Sequence, residues 1–268
     1  MMSKKISDYI ISDYGDNWGT KTLHVLSLEK LDDDFFEILD KEIIKICFGK
    51  TPRDLSAVKK RVLKLINKGG NFKKGIVSEL LMILYLTSKG YKQEFLFLNL
   101  EEESFKKGLD GLYSKNNKHY VFESKSGDRI TKKSKTQFFN DKIKLALKGL
   151  ENSTTGKNEN TWNNALSHVQ LASDDKALID KIISLADDLE NEKFEKFEKE
   201  KFNVIPAGTL FFDNCLTDWK NLEVKDLDTV DTNYLSSLVT EYKSLNVILF
   251  SKKNLSESVK LFKKHLKK

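Results

Sequence analysis

The sequence predicts an α/β protein: a central mixed sheet flanked by helices, with helical additions before and after the core. Three observations lead there. Apolar residues recur at three- and four-residue spacing in several long segments, the period of a buried helix face. Short apolar runs bounded by Gly, Ser and Asn stand between them and read as strands. Hydrophobic residues make up 39% and charged residues 32% of 268, enough for a large core, and with only two prolines no Pro/Ser/Gly-rich linker divides the chain.

Taken in order, residues 21–28 (Lys-Thr-Leu-His-Val-Leu-Ser-Leu) predict a strand. Asp34–Phe48 and Asp54–Asn67 predict helices, the second stopped by Lys-Gly-Gly at 68–70. Tyr9, Tyr14 and Trp18 are expected to anchor the N-terminal segment or to meet a partner. Asn71–Gly90 predicts a helix with Ile76, Leu80, Ile83 and Leu84 as its apolar face and Glu79 at the edge of that face. Strands are expected at Gln93–Leu98, around Asp110 and at Tyr120–Lys125, followed by a helix at Thr136–Leu150.

Residues 151–160 are polar and predict a loop. Helices are expected at Trp162–Ala172 and Lys176–Glu190, and Asn191–Phe202 is strongly helix-forming, with Phe194 and Phe197 on one face. Val204–Phe212 and Asn246–Phe250 predict strands, and Leu255–Leu266 a closing helix with a basic end. The expected organisation is a first part at 1–70, a core at 71–150, a helical insertion at 151–203 and closing strands and helix at 204–268, all in one unit. A separate C-terminal domain from about residue 160 is the alternative.

Chemistry concentrates in the core. Gly-Leu-Asp-Gly at 108–111 places Asp110 in a glycine-framed turn, thirteen positions before Glu123 of Glu-Ser-Lys at 123–125. Side chains alternate along a strand, so Val121, Glu123 and Lys125 share a face. With Asp110 on the neighbouring strand, two carboxylates and an ammonium converge. Such a set can hold Mg²⁺, with Mn²⁺ as an alternative, and activate a water against a phosphodiester. Asp110 and Glu123 are the expected ligands, helped by the Ser124 carbonyl, and Lys125 orients or deprotonates the water. Other Asp/Glu-X-Lys triplets begin at Asp174, Asp218, Glu223 and Glu241, but they lie in helical or turn-like segments where i and i+2 do not face each other.

Charge placement agrees. Between Lys106 and Lys148 stand twelve basic and four acidic residues, an excess larger than the +6 of the whole chain. Lys106, Lys107, Lys115, Lys118, Arg129, Lys132, Lys133, Lys135, Lys142 and Lys144 would draw a phosphate backbone to this region. Lys132, Lys133 and Lys135, with Gln137 at the start of the next helix, are the candidate nucleic-acid contacts. The two cysteines, Cys47 and Cys215, and the four histidines are scattered, which argues against a zinc module or a histidine-metal centre. Met-Met-Ser-Lys-Lys-Ile-Ser-Asp lacks an apolar signal core, and no run approaches the length of a membrane span, so a cytoplasmic protein without membrane attachment is expected.

The order helix with Glu79, three strands, then helix resembles the core of PD-(D/E)XK, or restriction-endonuclease-like, nucleases. Asp110 takes the Asp position, Glu123 the second acidic position, Lys125 the Lys and Glu79 the accessory helix Glu; Leu109 stands where many members have Pro. Residues 72–150 resemble more closely the nuclease subunit of the bacterial Hachiman antiphage defence system (HamA-type) and the related Abp abortive-infection nuclease. That resemblance implies a metal-dependent DNase that acts on DNA and is held in check, as a heterodimer, by a superfamily 2 helicase subunit (HamB-type). The alternatives are a stand-alone restriction- or RNA-processing-type nuclease and a non-catalytic nucleic-acid-binding subunit.

Overall fold

The computed structural model of the chain describes residues 6, 10–18, 21–99, 104–105, 108–129, 133–154, 160–191, 202–214, 219 and 242–268. Helices begin where a short polar side chain can take over an unpaired N–H. Asp32 accepts from Phe35 N at 3.0 Å and opens α1 (Asp33–Phe48). Asp54 accepts from Ala57 N at 2.8 Å and opens α2 (Leu55–Asn67). The long α3 (Gly70–Ser88) follows. Later come α4 (Lys135–Thr154), α5 (Thr161–Ala172) and α6 (Lys176–Glu190), the last capped by Asp175. Asn254 caps α7 (Leu255–His265) through Glu257 N at 2.8 Å.

The strands are β1 (Ile10–Trp18), β2 (Lys21–Leu28), β3 (Lys92–Gln93), β4 (Leu98–Asn99), β5 (Ser104–Phe105), β6 (Gly111–Lys115), β7 (Lys118–Asp128), β8 (Asn203–Phe211) and β9 (Ser244–Lys252). Seven of them form one sheet in the order β1-β2-β9-β8-β7-β6-β3, and β4 with β5 makes a separate ribbon. The four central strands β2, β9, β8 and β7 run parallel, while β1, β6 and β3 pair antiparallel. Parallel strands need both faces covered. One face packs on α1, α2, α3 and α7 through Phe35, Val62, Leu80 and Phe262, against Leu26, Phe122, Ile205 and Phe250. The other packs on α4, α5 and α6 through Ile143, Trp162 and Ile182, against Val121, Val204 and Val247. The molecule is a three-layer α/β structure with a mixed sheet at its centre. No helix among the described residues is long and apolar enough to cross a membrane.

Several sequence expectations shift. The strand expected at Gln93–Leu98 is two short pieces, β3 and β4. Phe95, Leu96 and Phe97 are all buried, but between β3 and β4 the backbone leaves the ladder. Instead Phe97 N donates to Ile46 O at 3.0 Å, and the Gln93 amide donates to Ile46 O and Phe95 O. β1 was not expected, because its Ser, Gly, Asp and Asn are poor strand formers; pairing with β2 decides its conformation. The loop expected from residue 151 starts later, as α4 runs on to Thr154. The helix expected at Asn191–Phe202 falls, between those end residues, outside the described residues, as do Tyr9 and Cys215.

One lysine sits inside this frame. Lys252, at the end of β9, is 1% exposed and donates to Glu29 O at 2.8 Å. Burial pulls its pKa down to about 8, although Glu257, Asp213 and Glu29 hold it up. Its folded pKa lies below its unfolded value, so unfolding takes up a proton between about pH 8 and the ordinary lysine range near 10.4, and stability from this group rises with pH across that window. Lys252→Met is expected to raise stability at pH 7.5 by about 1–2 kcal/mol. The advantage over the parent chain is expected to shrink between pH 8 and 10, which denaturant melts at both pH values measure.

Candidate functional site

The β6–β7 hairpin sets the register of the site. Its turn is Asn116-Asn117, with φ of 51° and 58°. A two-residue turn between twisted strands needs that left-handed backbone, and Asn tolerates it. Pairing then runs from Lys115 opposite Lys118 down to Gly111 opposite Phe122. The next step would set Asp110 opposite Glu123, but β6 has ended. The Asp110 carboxylate accepts the Ser124 N–H at 2.8 Å instead, a side chain standing in for the next rung of the ladder.

Beyond that point β7 continues with α3 on one face and α4 on the other. On the α3 side Asp128 pairs with Lys74 at 2.5 Å. On the α4 side Glu123 lies against Gly149: a Cβ added there would stand 2.6 Å from Glu123 Oε1. Glu123 is 4% exposed. Its Oε1 is ion-paired with the Lys125 ammonium, and its Oε2 is buried with no hydrogen-bond partner among the described residues. Period-two alternation does bring Glu123 and Lys125 together, with Asp110 one strand away.

Electrostatics follow from that crowding. Burial, and next the charge of Asp110, raise the Glu123 carboxyl well above the usual carboxylate range, with Lys125 pulling the other way. Burial also works against the Lys125 ammonium, but Glu123, Asp110 and Glu79 outweigh it and hold its pKa above the ordinary lysine value. The neighbouring carboxylates, Glu123 first and Asp110 next, thus favour the cationic form of Lys125. Glu79, in α3, is 2% exposed, and its field reaches Lys125 and the buried Tyr113 hydroxyl. Asp110, Glu123 and Lys125 thus come together at the end of β6, and Glu79 acts on Lys125 by its charge from α3.

Among the described residues no cluster of three or more His, Cys, Asp or Glu forms an all-protein metal cage. The histidines are engaged elsewhere. His24 bonds the Tyr85 hydroxyl at 2.9 Å, His119 pairs with Asp175 at 2.7 Å, His265 with Asp40 at 2.8 Å, and His168 stacks on Phe95. Cys47 is fully buried, which pushes its thiol pKa up and leaves it inert. The site offers two carboxylates, one with an orphaned buried oxygen. That suits Mg²⁺, which keeps waters and takes substrate phosphate oxygens rather than an all-protein shell.

The basic run separates into parts. Lys115 and Lys118 flank the hairpin turn, about 23 Å along β7 from Lys125, too far to serve the same phosphate. Lys115 lies over the Tyr91 ring. Arg129 is buried at 7% exposure and donates to Lys133 O at 2.6 Å, so it braces the loop before α4 instead of facing a ligand. Lys133 is exposed and pairs with Asp141 at 2.6 Å. Gln137 accepts from Ser134 N at 3.0 Å while Ser134 Oγ accepts from Gln137 N at 3.1 Å, a reciprocal cap that opens α4. Lys106, Lys107 and Lys132 lie outside the described residues, and Lys135 is the first residue of α4. Sequence reasoning passed over Gly149; a glycine in the middle of a helix pattern was the available signal.

No protein-family model matches the chain, and no curated protein matches it.

Glycine within a helix normally costs roughly 1 kcal/mol against alanine. At Gly149 the added methyl would meet the Glu123 carboxylate. Gly149→Ala is therefore expected to lower stability by about 1–3 kcal/mol, the cost of overpacking. Glu123→Ala is expected to reverse the sign, so that Gly149→Ala stabilises in that background. A double-mutant cycle by denaturant unfolding reads the coupling; additive effects would place Glu123 away from α4.

Proposed function

We propose that this chain is a metal-dependent nuclease that cleaves DNA. The observation that carries this is the Asp110–Glu123–Lys125 constellation, in which a buried, unpartnered carboxylate oxygen of Glu123 stands beside the Lys125 ammonium and a second carboxylate. Three like-minded features would be an odd accident of stability, because a raised carboxyl pKa means that the fold holds Glu123 at a cost. Asp110 and Glu123 are the groups that would hold Mg²⁺ or Mn²⁺. When bound there, such an ion offsets phosphate charge and lowers the pKa of its water.

The protein groups then divide the remaining work. Glu123 offers Oε2, which nothing among the described residues engages. Asp110 keeps one oxygen on Ser124 N, which fixes its rotamer and aims the carboxylate at the end of β7. Lys125 orients the attacking water and neutralises charge developing on the phosphate, its cationic form favoured by Glu123 and Asp110. Glu79 adds negative field on the α3 side.

The resemblance to Hachiman-type nuclease subunits extends the proposal to biology: an antiphage effector in the cytoplasm, restrained by a partner superfamily 2 helicase and released on infection. A nuclease with an intact site endangers the chromosome of its own cell, which is a physical reason for restraint.

Purified chain incubated with supercoiled plasmid is expected to nick it with Mg²⁺ or Mn²⁺ and not in EDTA. Asp110→Asn, Glu123→Gln and Lys125→Met are each expected to lower the rate at least ~100-fold, with unfolding midpoints unchanged or raised. Wild-type rates in Glu123→Gln would move the chemistry elsewhere. Co-expression with a superfamily 2 helicase from the same gene neighbourhood is expected to give a stable heterodimer with suppressed cleavage; a neighbourhood without such a helicase, or absence of binding, would remove the partner and leave the nuclease.

A further inference from the structure

Lys142 has no part in the scheme above, yet the fold makes room for it twice. It lies on α4, seven residues before Gly149, and so on the same side of the helix. Its ammonium sits over Gly127 of β7: a Cβ there would stand 2.7 Å from Nζ and 2.9 Å from Cε. Its own Cβ lies 3.1 Å from where a Cβ of Gly208 would be, on the adjacent strand β8. The side chain also runs beside the Phe138 ring, with Nζ 5.1 Å from the centroid. Two glycines and a phenylalanine thus form a channel that fits one lysine stem.

The nearby carboxylates are taken. Asp128 pairs with Lys74 and Asp141 with Lys133. Lys142 itself makes no hydrogen bond or ion pair among the described residues, although it is half-buried. Burial lowers its pKa; Asp141 and Asp128 hold it up, while Lys74 and Lys125 push it further down. A half-buried ammonium with no ion-pair partner among the described residues, and with the charges of Lys74 and Lys125 working against it, lacks an anion. Gly127 stands two residues after Lys125 on the same face, about 6.8 Å along the strand. An anion at Lys142 is therefore a neighbour of the group at Lys125, on the side away from Glu123.

We propose that Lys142 binds the backbone phosphate next to the one cleaved, and so sets the register of a nucleic-acid strand across β7. This rests on the nuclease reading. A phosphate there completes the ion pairing of Lys142, and the glycines at 127 and 208 exist to bring the backbone of the strand and the lysine close enough for it.

Two measurements test it. In EDTA, where no cleavage occurs, fluorescent DNA binding is followed against salt. Lys142→Met is expected to flatten the slope of log K on log salt by about 0.7–0.9, the loss of one phosphate contact. Gly127→Ala, which displaces the ammonium but keeps the charge, is expected to weaken binding at low salt. With Mg²⁺, an oligonucleotide of mapped cleavage position carries a neutral methylphosphonate at one flanking linkage. Wild-type kcat/KM is expected to fall roughly tenfold for one such linkage, while Lys142→Met, already lower by that factor on ordinary DNA, is indifferent to it. A purely structural lysine would leave the methylphosphonate sensitivity intact, and that result, or an unchanged salt slope, overturns the proposal. Failure of the wild-type chain to cut any DNA overturns the nuclease reading, and the EDTA slope still reads Lys142 by itself.

Discussion

Two carboxylates that repel each other are what the site is organised around. The hairpin turn at Asn116-Asn117 commits Asp110 and Glu123 to neighbouring positions, whatever their charges prefer. Burial of Glu123 sharpens the conflict, since little water screens it. The surroundings answer in kind. Ser124 donates its N–H to Asp110, Lys125 gives an ammonium to Glu123, and Gly149 withdraws the side chain that would have crowded it. A sheet that wanted stability alone would put apolar residues at these positions.

Glycine has the same task on both sides of the α4–β7 contact. On the helix, Gly149 admits the carboxylate of the strand; on the strand, Gly127 admits the ammonium of the helix. The two layers approach closely over one row of β7, so the polar groups of the row are held by packing as well as by charge. Preorganisation of this kind keeps ionisable groups in place before a substrate arrives. The opposite layer is fastened to the same strand by the Lys74–Asp128 pair.

Much of this was legible in the sequence. Asp32, Asp54, Asp175 and Asn254 are plain cap residues, and the helices they open start within a residue of where periodicity placed them. β7 was legible from its apolar run, and its alternation alone put Glu123 beside Lys125. The rest depended on contacts that sequence spacing does not carry. Phe95 to Phe97 look like a strand until Phe97 N is found donating to Ile46 O of α1 instead of to a neighbouring strand. Arg129 looks like a phosphate ligand until its guanidinium is found bracing Lys133 O. Lys115 and Lys118 belong to the basic run in sequence, yet the hairpin carries them to the far end of the strand.

The central position of β8 and β9 has a temporal meaning. β7 finds its parallel neighbour only when β8 arrives: the Asn203 amide bonds His119 O across 84 residues. β2 waits longer still, for Lys252 reaches Glu29 O across 223 residues. A chain emerging from the ribosome carries Asp110, Glu123 and Lys125 long before it owns the middle of its sheet. Until then β7 is an edge strand, and Gly208 is not there to complete the channel around Lys142. Pairings of such long separation also form slowly. Enclosure of the carboxylate–lysine cluster within a closed sheet is thereby tied to the last third of the chain, so the hairpin holds its charges at an open edge until synthesis is nearly complete.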